Sequence, residues 1–153
     1  MKEAKLLMIE KVMVLKSLSI FSETPETILA EIAHLAEEVE LPTDSNIFKE
    51  GDIGNCMYVI FRGRVSIHRG GKTLVEFQEK DFFGELSLLD TEARSASATA
   101  LTDLLLLKID QEPIYDLFES RPEVVKGIIK ILCRRIRMMN QKFLEMGQTL
   151  PTS

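Results

Sequence analysis

The spacing of the hydrophobic residues changes twice along this chain of 153 residues. Helical spacing covers residues 2–18 and resumes after Thr24-Pro25, alternating spacing begins at Val39, and helical spacing returns at Gln111. In the alternating part, turn residues such as the Gly70-Gly71 pair separate short apolar runs, which is typical of a small antiparallel sandwich or jelly-roll barrel. The six runs span residues 46–48, 57–61, 65–68, 74–77, 96–101 and 104–109.

The segments before the alternating part predict two helices. The second helix begins with Thr24 as its N-cap and Pro25 at its first helical position. In the first helix, one face carries Leu6, Ile9, Met13 and Lys16, with Leu7 and Val14 beside it, so we expect this face to be broadly apolar. The expected buried stripe of the second helix is Ile28, Leu29, Ile32, Leu35 and Ala36.

Two further helices are predicted after the alternating part. Asp110 is a plausible N-cap for the first of them, and Pro122 opens the second, which reaches about Met146 and stops at Gly147. This last helix carries apolar residues in steps of four and three, which is an a/d pattern over about three heptads. These residues are Val125, Ile129, Leu132, Ile136, Met139, Phe143 and Met146.

The a/d pattern predicts how the last helix is covered. We expect its first half to pack on its own barrel, and its second half, which extends beyond a small barrel, to pair with a second copy in a homodimer. The rest of the helix is basic, so a membrane-surface or calmodulin-type helix and a simple solvated face remain open. Its basic residues are Lys126, Lys130, Arg134, Arg135, Arg137 and Lys142.

The most specific chemistry lies in residues 80–100. Gly84 removes a side chain where backbone has to approach a neighbour closely, and residues 85–89 have room for about one helical turn, whose first N–H groups suit an anion. Arg94, nine residues after Glu85, and Ser95 supply a charged fork and a hydroxyl donor. Because Glu85 accepts hydroxyls, a phosphate beside a ribose would satisfy all these groups. If Glu85 and Arg94 instead pair only with each other, the stretch is an ordinary polar turn.

The same stretch resembles the phosphate-binding cassette of the cyclic nucleotide-binding domain family. The family pattern, F-G-E-[LI]-x-L-[LM] followed by P-R-[AST]-A, is similar to FGELSLL at residues 83–89 and ARSA at residues 93–96. Residues 47–55, 57–60 and 63–65 resemble the early strands and turns of the family. The resemblance extends from about Ile20 to about Arg137 and covers bacterial catabolite activators and regulatory subunits of protein kinase A.

The resemblance implies a mainly β, α+β fold, with N-terminal helices, an eight-stranded antiparallel jelly-roll barrel and a long C-terminal helix. It implies that the ligand is cyclic AMP or cyclic GMP, and that no other cofactor or metal is needed. Arg94 and Ser95 would hold the cyclic phosphate and Glu85 the ribose 2′-hydroxyl, while the last helix covers the base and carries the signal. The cassette residues expected at the ligand are Phe83, Gly84, Glu85, Leu86, Ser87, Arg94, Ser95 and Ala96.

Two residues of the last helix are also expected near the base. Aligned without gaps from Arg94 onward, Arg135 falls where the bacterial activators place an arginine, and Asn140 falls at one of their hydroxyl positions. Asn140 is able to accept from an adenine amino group through its carbonyl. Ser95 resembles the serine that the activators use on the phosphate of cyclic AMP, so we expect cyclic AMP to be preferred.

The chain departs from the family pattern in three places. Ala93 replaces the common Pro before the arginine, Lys80 replaces Gly before the Asp-Phe-Phe segment, and Asp44 replaces Gly after the proline at the start of the barrel. None of these changes removes a group that contacts the ligand, but the loss of the proline makes the loop before Arg94 less rigid.

Composition excludes several other classes. The net charge of −5 argues against a nucleic-acid-binding body, and there is neither a nucleophile–base pair nor a metal-ligand cluster, so an enzyme is not expected. Cys56 and Cys133 are expected to be reduced thiols. No apolar run reaches the roughly 18 residues of a membrane span, and the charged N-terminus is unlike a secretory signal, which predicts a cytoplasmic location.

The expected organisation is a single domain over residues 1–153. It comprises N-terminal helices at 1–37, a barrel at 38–110 with the cassette at 82–97, and C-terminal helices at 111–147. Two alternatives remain open: a degenerate domain that keeps the fold as a ligand-free interaction module, and the sensor piece of a larger transporter, channel or transcription factor with a covalently attached effector domain. A helix-turn-helix domain is absent from this sequence, so DNA binding by the chain itself is not expected.

Overall fold

The computed structural model describes residues 6–147. Helices α1 (Met8–Ser17) and α2 (Glu26–Leu35), joined through a 3₁₀ turn at Ser19–Phe21, precede the strands. Helices α4 (Gln111–Ser120) and α5 (Pro122–Glu145) follow them. The strands are β1 (Glu37–Leu41), β2 (Asn46–Phe48), β3 (Ile53–Gly54), β4 (Cys56–Arg62), β5 (Val65–Arg69), β6 (Lys72–Phe77), β7 (Phe82–Phe83), β8 (Glu92–Ala93), β9 (Ser97–Ala100) and β10 (Leu104–Asp110), with the one-turn helix α3 (Glu85–Leu89) between β7 and β8.

Eight of the strands form two four-stranded sheets, which confirms the eight-stranded antiparallel fold. One sheet has the order β1-β10-β4-β7 and the other β2-β9-β5-β6, and every pair in them is antiparallel. The other two, β3 and β8, form a short ladder of their own, with Ile53 opposite Ala93 and Gly54 opposite Glu92. The sequence pattern did not predict the two-residue strands or β1. Their runs are too short, or too rich in glutamate, to register as apolar runs.

Strand β4 separates two hydrophobic cores because its side chains alternate between its faces. Cys56, Tyr58 and Ile60 point into the space between the sheets, together with residues of β5, β7, β9 and β10. Met57 and Val59 point the other way and pack with the helices. Both faces are therefore covered, which explains why residues 56–60 are all buried.

The N-terminal helices differ in detail from their predictions. The part of the first predicted helix at residues 2–5 lies outside the described residues. In α1 the buried residues are Leu15 and Val14, the second of which was expected beside the predicted face. Leu6 of that face packs against the core, whereas Ile9 and Met13 are about two-thirds exposed, so the prediction is correct only in part. In α2 the N-cap is Pro25 rather than Thr24, and the stripe is as predicted except that Ala33 is buried and Leu35 is exposed. Thr24 is buried, and its carbonyl accepts a hydrogen bond from Lys16 Nζ at 3.1 Å.

Helix α5 packs through a different stripe from the predicted one. Its buried residues are Val124, Ile128 and Ile131, one position before each of Val125, Ile129 and Leu132. The first half of α5 therefore packs on its own chain, as expected, but mainly through this neighbouring stripe. Of the predicted a/d residues, Leu132 also packs against that core. Pro122 does open the helix, and Gly147, with a φ of 73°, follows its C-cap, as predicted.

Two of the three departures from the family pattern occur at unusual backbone positions. Within residues 6–147, Asp44 (φ 71°) and Lys80 (φ 74°) are the non-glycine residues with a positive φ. Glycine adopts this conformation without a steric penalty, which explains why the family pattern has glycine at both places.

Candidate functional site

The candidate site is built where the short β3–β8 ladder meets the start of β4. The backbone N–H of Arg94 donates to Asp52 O at 2.7 Å, and Arg94 O accepts from the Gly51 N–H at 2.9 Å. These bonds hold the segment before β9 against the turn at residues 49–54. The backbone of Arg94 is therefore held in place by hydrogen bonds, although Ala93 replaces the proline of the family pattern.

The guanidinium of Arg94 is buried and hydrogen-bonded. Its Nη2 donates to Cys56 O at 3.0 Å and contacts Cys56 Sγ at 3.4 Å, and its Nη1 donates to Ser87 Oγ at 3.1 Å. Only 8% of the residue is exposed. The Phe48 ring covers one face of the guanidinium, with Arg94 Cζ 4.2 Å from the ring centroid, a distance suited to a cation–π contact.

Every acceptor that Arg94 contacts is neutral. The ion pairs found among residues 6–147 do not include Arg94, and Glu85 pairs with Arg135 instead. The alternative in which Glu85 and Arg94 pair only with each other is therefore wrong. A buried cation without a counter-ion is costly, because burial removes the water that would stabilise the charge. The chemistry of the site thus favours an anionic ligand.

Two glycines leave the space that the guanidinium occupies. A Cβ on Gly54 would lie 2.7 Å from Arg94 Nε and 2.6 Å from Ser87 Oγ, and one on Gly84 would lie 2.8 Å from Arg94 Nη1. Gly84 also has a φ of 80° as the N-cap of α3. The close approach inferred for Gly84 from the sequence is thus an approach of Arg94 to the backbone.

Glu85 connects the cassette to α5. Its Oε1 lies 3.6 Å from Arg135 Nη1, with 24% of the Glu85 side chain and 33% of the Arg135 side chain exposed. Arg135 Nη2 also donates to Ser19 Oγ at 2.6 Å, and its guanidinium lies 5.8 Å from the Phe82 ring centroid. The Arg135 side chain therefore joins three segments: the 3₁₀ turn, the cassette and α5.

The remaining predicted site residues are placed as follows. Phe83 is buried and stacks on Tyr58 and Phe77, with ring centroids 5.3 Å and 5.9 Å apart. Ser95 is exposed, and its carbonyl accepts from Arg69 Nη1 at 3.3 Å.

Ala96 is buried, whereas Leu86 is 64% exposed. Asn140 is half-buried, and it forms none of the side-chain hydrogen bonds found among the described residues. The structure thus pairs Ser87 with Arg94 and Glu85 with Arg135, and among the described residues it gives Asn140 no side-chain hydrogen bond to the cassette.

Three residues in contact with Arg94 were not singled out from the sequence. Phe48 and Gly54 lie in the segment that resembles the family, but no pattern indicated that they would touch the arginine. Cys56 was interpreted only as a core thiol.

Tyr58, two residues after Cys56, is neutral. Burial raises the pKa of its hydroxyl above the usual range, and the Cys56 side chain raises this pKa further.

The chain belongs to the cyclic nucleotide-binding domain family. The profile of that family, described as "Cyclic nucleotide-binding domain", matches residues 38–121, more than half of the chain. Its members bind cyclic AMP or cyclic GMP as a ligand, and the antiparallel sheets with flanking helices are those of the family fold.

Proteins similar to this chain include transcriptional regulators. A CRP-like cAMP-activated global transcriptional regulator of Mycobacterium tuberculosis is 28% identical over 138 residues, and the cyclic AMP receptor protein of Thermus thermophilus is 38% identical over 101 residues. The solved N-terminal domain of a transcriptional regulator from Streptomyces coelicolor superposes with a TM-score of 0.80 at 31% identity, covering 85% of this chain and 94% of that one.

The chain spans only part of the curated relatives. The matches cover 87% of this chain and 62% of the Mycobacterium protein, and 63% of this chain and 47% of the Thermus protein. Within residues 6–147, the helices lack the length or the apolar character that a membrane crossing requires.

Proposed function

We propose that the chain is a sensor that binds a cyclic nucleotide, with cyclic AMP preferred over cyclic GMP, and signals through α5. The observation that carries this proposal is Arg94, a buried cation whose partners are all neutral. A cyclic phosphate supplies the missing negative charge, and a charge-assisted hydrogen bond to it is about twice as strong as a neutral one.

The ligand contacts follow from the cassette geometry. Arg94 and the exposed hydroxyl of Ser95 bind the cyclic phosphate, and the first turn of α3 at Gly84, Glu85 and Leu86 lies beside them. The partly exposed carboxylate of Glu85 accepts the ribose 2′-hydroxyl.

The inner face of the β5–β6 pair supports one side of the base. Val65 lies opposite Phe77, and Ile67 opposite Val75, so these four side chains share one face of the sheet. Val65 and Phe77 belong to the core between the sheets, whereas Val75 is 42% exposed and offers an apolar wall to a ligand.

Helix α5 converts binding into a signal through Arg135. A ribose hydroxyl on Glu85 competes with the Glu85–Arg135 ion pair, which ties α5 to the cassette. Ligand binding therefore changes the free energy of this link, and a ligand that favours one position of α5 shifts the population toward it. We also assign Arg135 and Asn140 to the neighbourhood of the base, where Asn140 accepts from the adenine amino group.

Isothermal titration calorimetry with cyclic AMP and cyclic GMP tests the binding proposal. We expect cyclic AMP to bind about tenfold more tightly, which corresponds to about 1.4 kcal/mol, roughly one hydrogen bond. Tighter binding of cyclic GMP would contradict the preference and place the Ser95 hydroxyl on the base. Absence of binding by both nucleotides would favour the degenerate, ligand-free interaction module. Glu85→Gln, which keeps a neutral acceptor, is expected to weaken binding less than Arg94→Ala.

The alkylation rate of the native Cys133 thiol measures whether α5 moves when the ligand binds. Cys133 is a free, half-buried thiol two residues before Arg135, so its alkylation rate depends on how α5 packs. We expect cyclic AMP to change this rate in the parent and not in Arg135→Ala. The Glu85–Arg135 ion pair is partly exposed, and ion pairs of this kind are worth about 1 kcal/mol or less, so cyclic AMP affinity should change by about fivefold or less in that variant. Peptide mass spectrometry separates Cys133 from Cys56, and an unchanged Cys133 rate in the parent would contradict signalling through α5.

We propose a homodimer formed by α5. Four residues of the a/d stripe remain open: Ile129, Ile136, Met139 and Met146 are between 53% and 68% exposed. Leu89, Tyr115 and Phe118 line an apolar groove beside the start of this stripe. In a parallel pair, Arg135 at a g position faces Asn140 of the second copy at an e position, so no like charges meet there.

The organisation of the whole protein is also a proposal. We propose that residues 1–153 form one domain with the boundaries expected above, that it lies in the cytoplasm, and that it does no catalysis. The relatives are longer than this chain, which supports a covalently attached effector domain in a longer parent.

A further inference from the structure

We propose that the thiol of Cys56 is a positioning residue that fixes the guanidinium of Arg94 for the ligand's phosphate. The inference rests on the proposed function, since it assigns a role within the same site. Arg94 Nη2 lies 3.0 Å from the Cys56 carbonyl and 3.4 Å from its sulfur, so one residue holds this nitrogen through backbone and side chain together.

The position of Cys56 makes it a rigid anchor. It is the first residue of β4, a strand that pairs with both β10 and β7, and its Cα partner is Asp110. Its side chain points between the sheets and is 4% exposed. A group held in one geometry before the ligand arrives does not have to be ordered at binding, so it improves affinity.

The neutrality of the thiol is what suits it to this task. Sulfur is a weak acceptor, so it directs the Nη2 group without neutralising the charge of Arg94. A carboxylate at the same place would pair with Arg94, as Glu85 does with Arg135, and would compete with the phosphate. The neighbouring Tyr58 is buried and its hydroxyl stays protonated, so Tyr58 adds no negative charge beside Arg94.

Ser87 completes the arrangement from the opposite side. Its hydroxyl accepts from Arg94 Nη1 at 3.1 Å, so Cys56 and Ser87 hold the two terminal nitrogens separately. The hydrogen bond from Arg94 to the backbone carbonyl of Cys56 remains possible when the Cys56 side chain is substituted. The thiol therefore contributes only part of the restraint, and a moderate loss of affinity is expected when it is removed.

A double-mutant cycle with cyclic AMP tests the proposal. Cys56→Val, which keeps an apolar side chain of similar size but removes the acceptor, should weaken binding about fivefold. Cys56→Ser restores an acceptor and should bind within about twofold of the parent. In an Arg94→Ala background, Cys56→Val should have no further effect. An equal loss in that background, or no recovery with serine, would show that the thiol only fills the core and would overturn the proposal.

A second measurement does not require the nucleotide. In ligand-free protein, NMR of the arginine side-chain N–H groups should show hindered Nη2 rotation for Arg94 in the parent and in Cys56→Ser, and freer rotation in Cys56→Val. Cys56→Ala replaces the valine variant if that one unfolds. Unchanged rotation would refute the positioning role, whereas hindered rotation in a parent that binds no cyclic nucleotide would refute only the proposed function.

Discussion

The cassette and the distal half of α5 differ in how far a single copy of the chain supplies contacts for their side chains. Around Arg94, every contact is made within the chain: two glycines give it space, three neutral atoms accept from it and Phe48 covers it. Beyond Arg135, by contrast, α5 exposes Ile136, Met138, Met139 and Leu144 by more than half. The chain itself supplies the surroundings of the first region, whereas the apolar side chains of the second region are exposed in a single copy.

The two regions also differ in the kind of interaction that a single copy of the chain does not provide. The cassette gives both terminal nitrogens of Arg94 neutral acceptors but supplies no opposite charge, so what the site lacks is an anion. The α5 stripe has no unmet charge, and its unmet requirement is apolar area. Arg135 joins the two regions through its ion pair with Glu85, which is the link that the proposed signal uses.

The largest effect is expected from Arg94→Ala. Removal of two charge-assisted hydrogen bonds should lower cyclic AMP affinity by about a hundredfold or more. Stability should not fall in proportion, because the variant also removes a buried charge. Calorimetry gives the affinity and thermal unfolding the stability. The control is Arg121→Ala, which removes an exposed arginine whose ion-pair partner is Glu31 of α2 and not a cassette residue. Equal cyclic AMP affinity in parent and Arg94→Ala would show that the anion is bound elsewhere.

The second effect concerns the uncovered region. Replacing Ile136 and Met139 with Glu places charges in the a/d seam and should convert the dimer into a monomer, as measured by sedimentation velocity. The control is Met138→Glu, because Met138 is 63% exposed and adjacent in sequence but lies off the seam. A dimer that survives the double substitution, or one that Met138→Glu also dissociates, would contradict pairing through this stripe.

The third effect tests whether the space around Arg94 is as tight as the structure indicates. The φ of Gly54 is not in the left-handed region, so Gly54→Ala acts only through its Cβ, which would approach Arg94 Nε to 2.7 Å. Displacing the guanidinium should weaken cyclic AMP binding about tenfold and lower the free energy of unfolding by about 1–3 kcal/mol.

Gly127→Ala in α5 is the matched control for Gly54→Ala. Its Cβ would meet Glu23 Cβ at 3.3 Å and no part of the cassette. Nucleotide affinity should therefore be unchanged in this variant. Normal affinity in Gly54→Ala as well would mean that Arg94 has more freedom than its contacts suggest.

Sequence reasoning succeeded where the signal is local and failed where distant segments meet. The strand runs, the one-turn helix and the stop at Gly147 follow from neighbouring residues. Contacts such as Arg94 with Cys56, 38 residues apart, and Glu85 with Arg135, 50 residues apart, depend on how strands and helices pack.

The error in α5 has the same physical origin. Val124, Ile128 and Ile131 form one apolar stripe, and Val125, Ile129 and Leu132 form another directly beside it with the same spacing. Helical periodicity alone does not tell which of two adjacent stripes packs on the body.

The smallest effect is expected at a departure that was visible in the sequence. Lys80 holds a φ of 74°, where a side chain is strained and glycine is not. Lys80→Gly relieves that strain, although glycine also makes the unfolded chain more flexible, so the net gain should be only about 0.5–1 kcal/mol. Thermal unfolding should then show a midpoint raised by about 2 °C.

The control for this substitution is Glu79→Gly, at a neighbouring residue without a positive φ, which should lower the midpoint instead. If both substitutions destabilise the protein equally, the left-handed conformation of Lys80 carries no cost. Cyclic AMP affinity should be the same in the parent and in both variants, because residues 79 and 80 make no contact with Arg94.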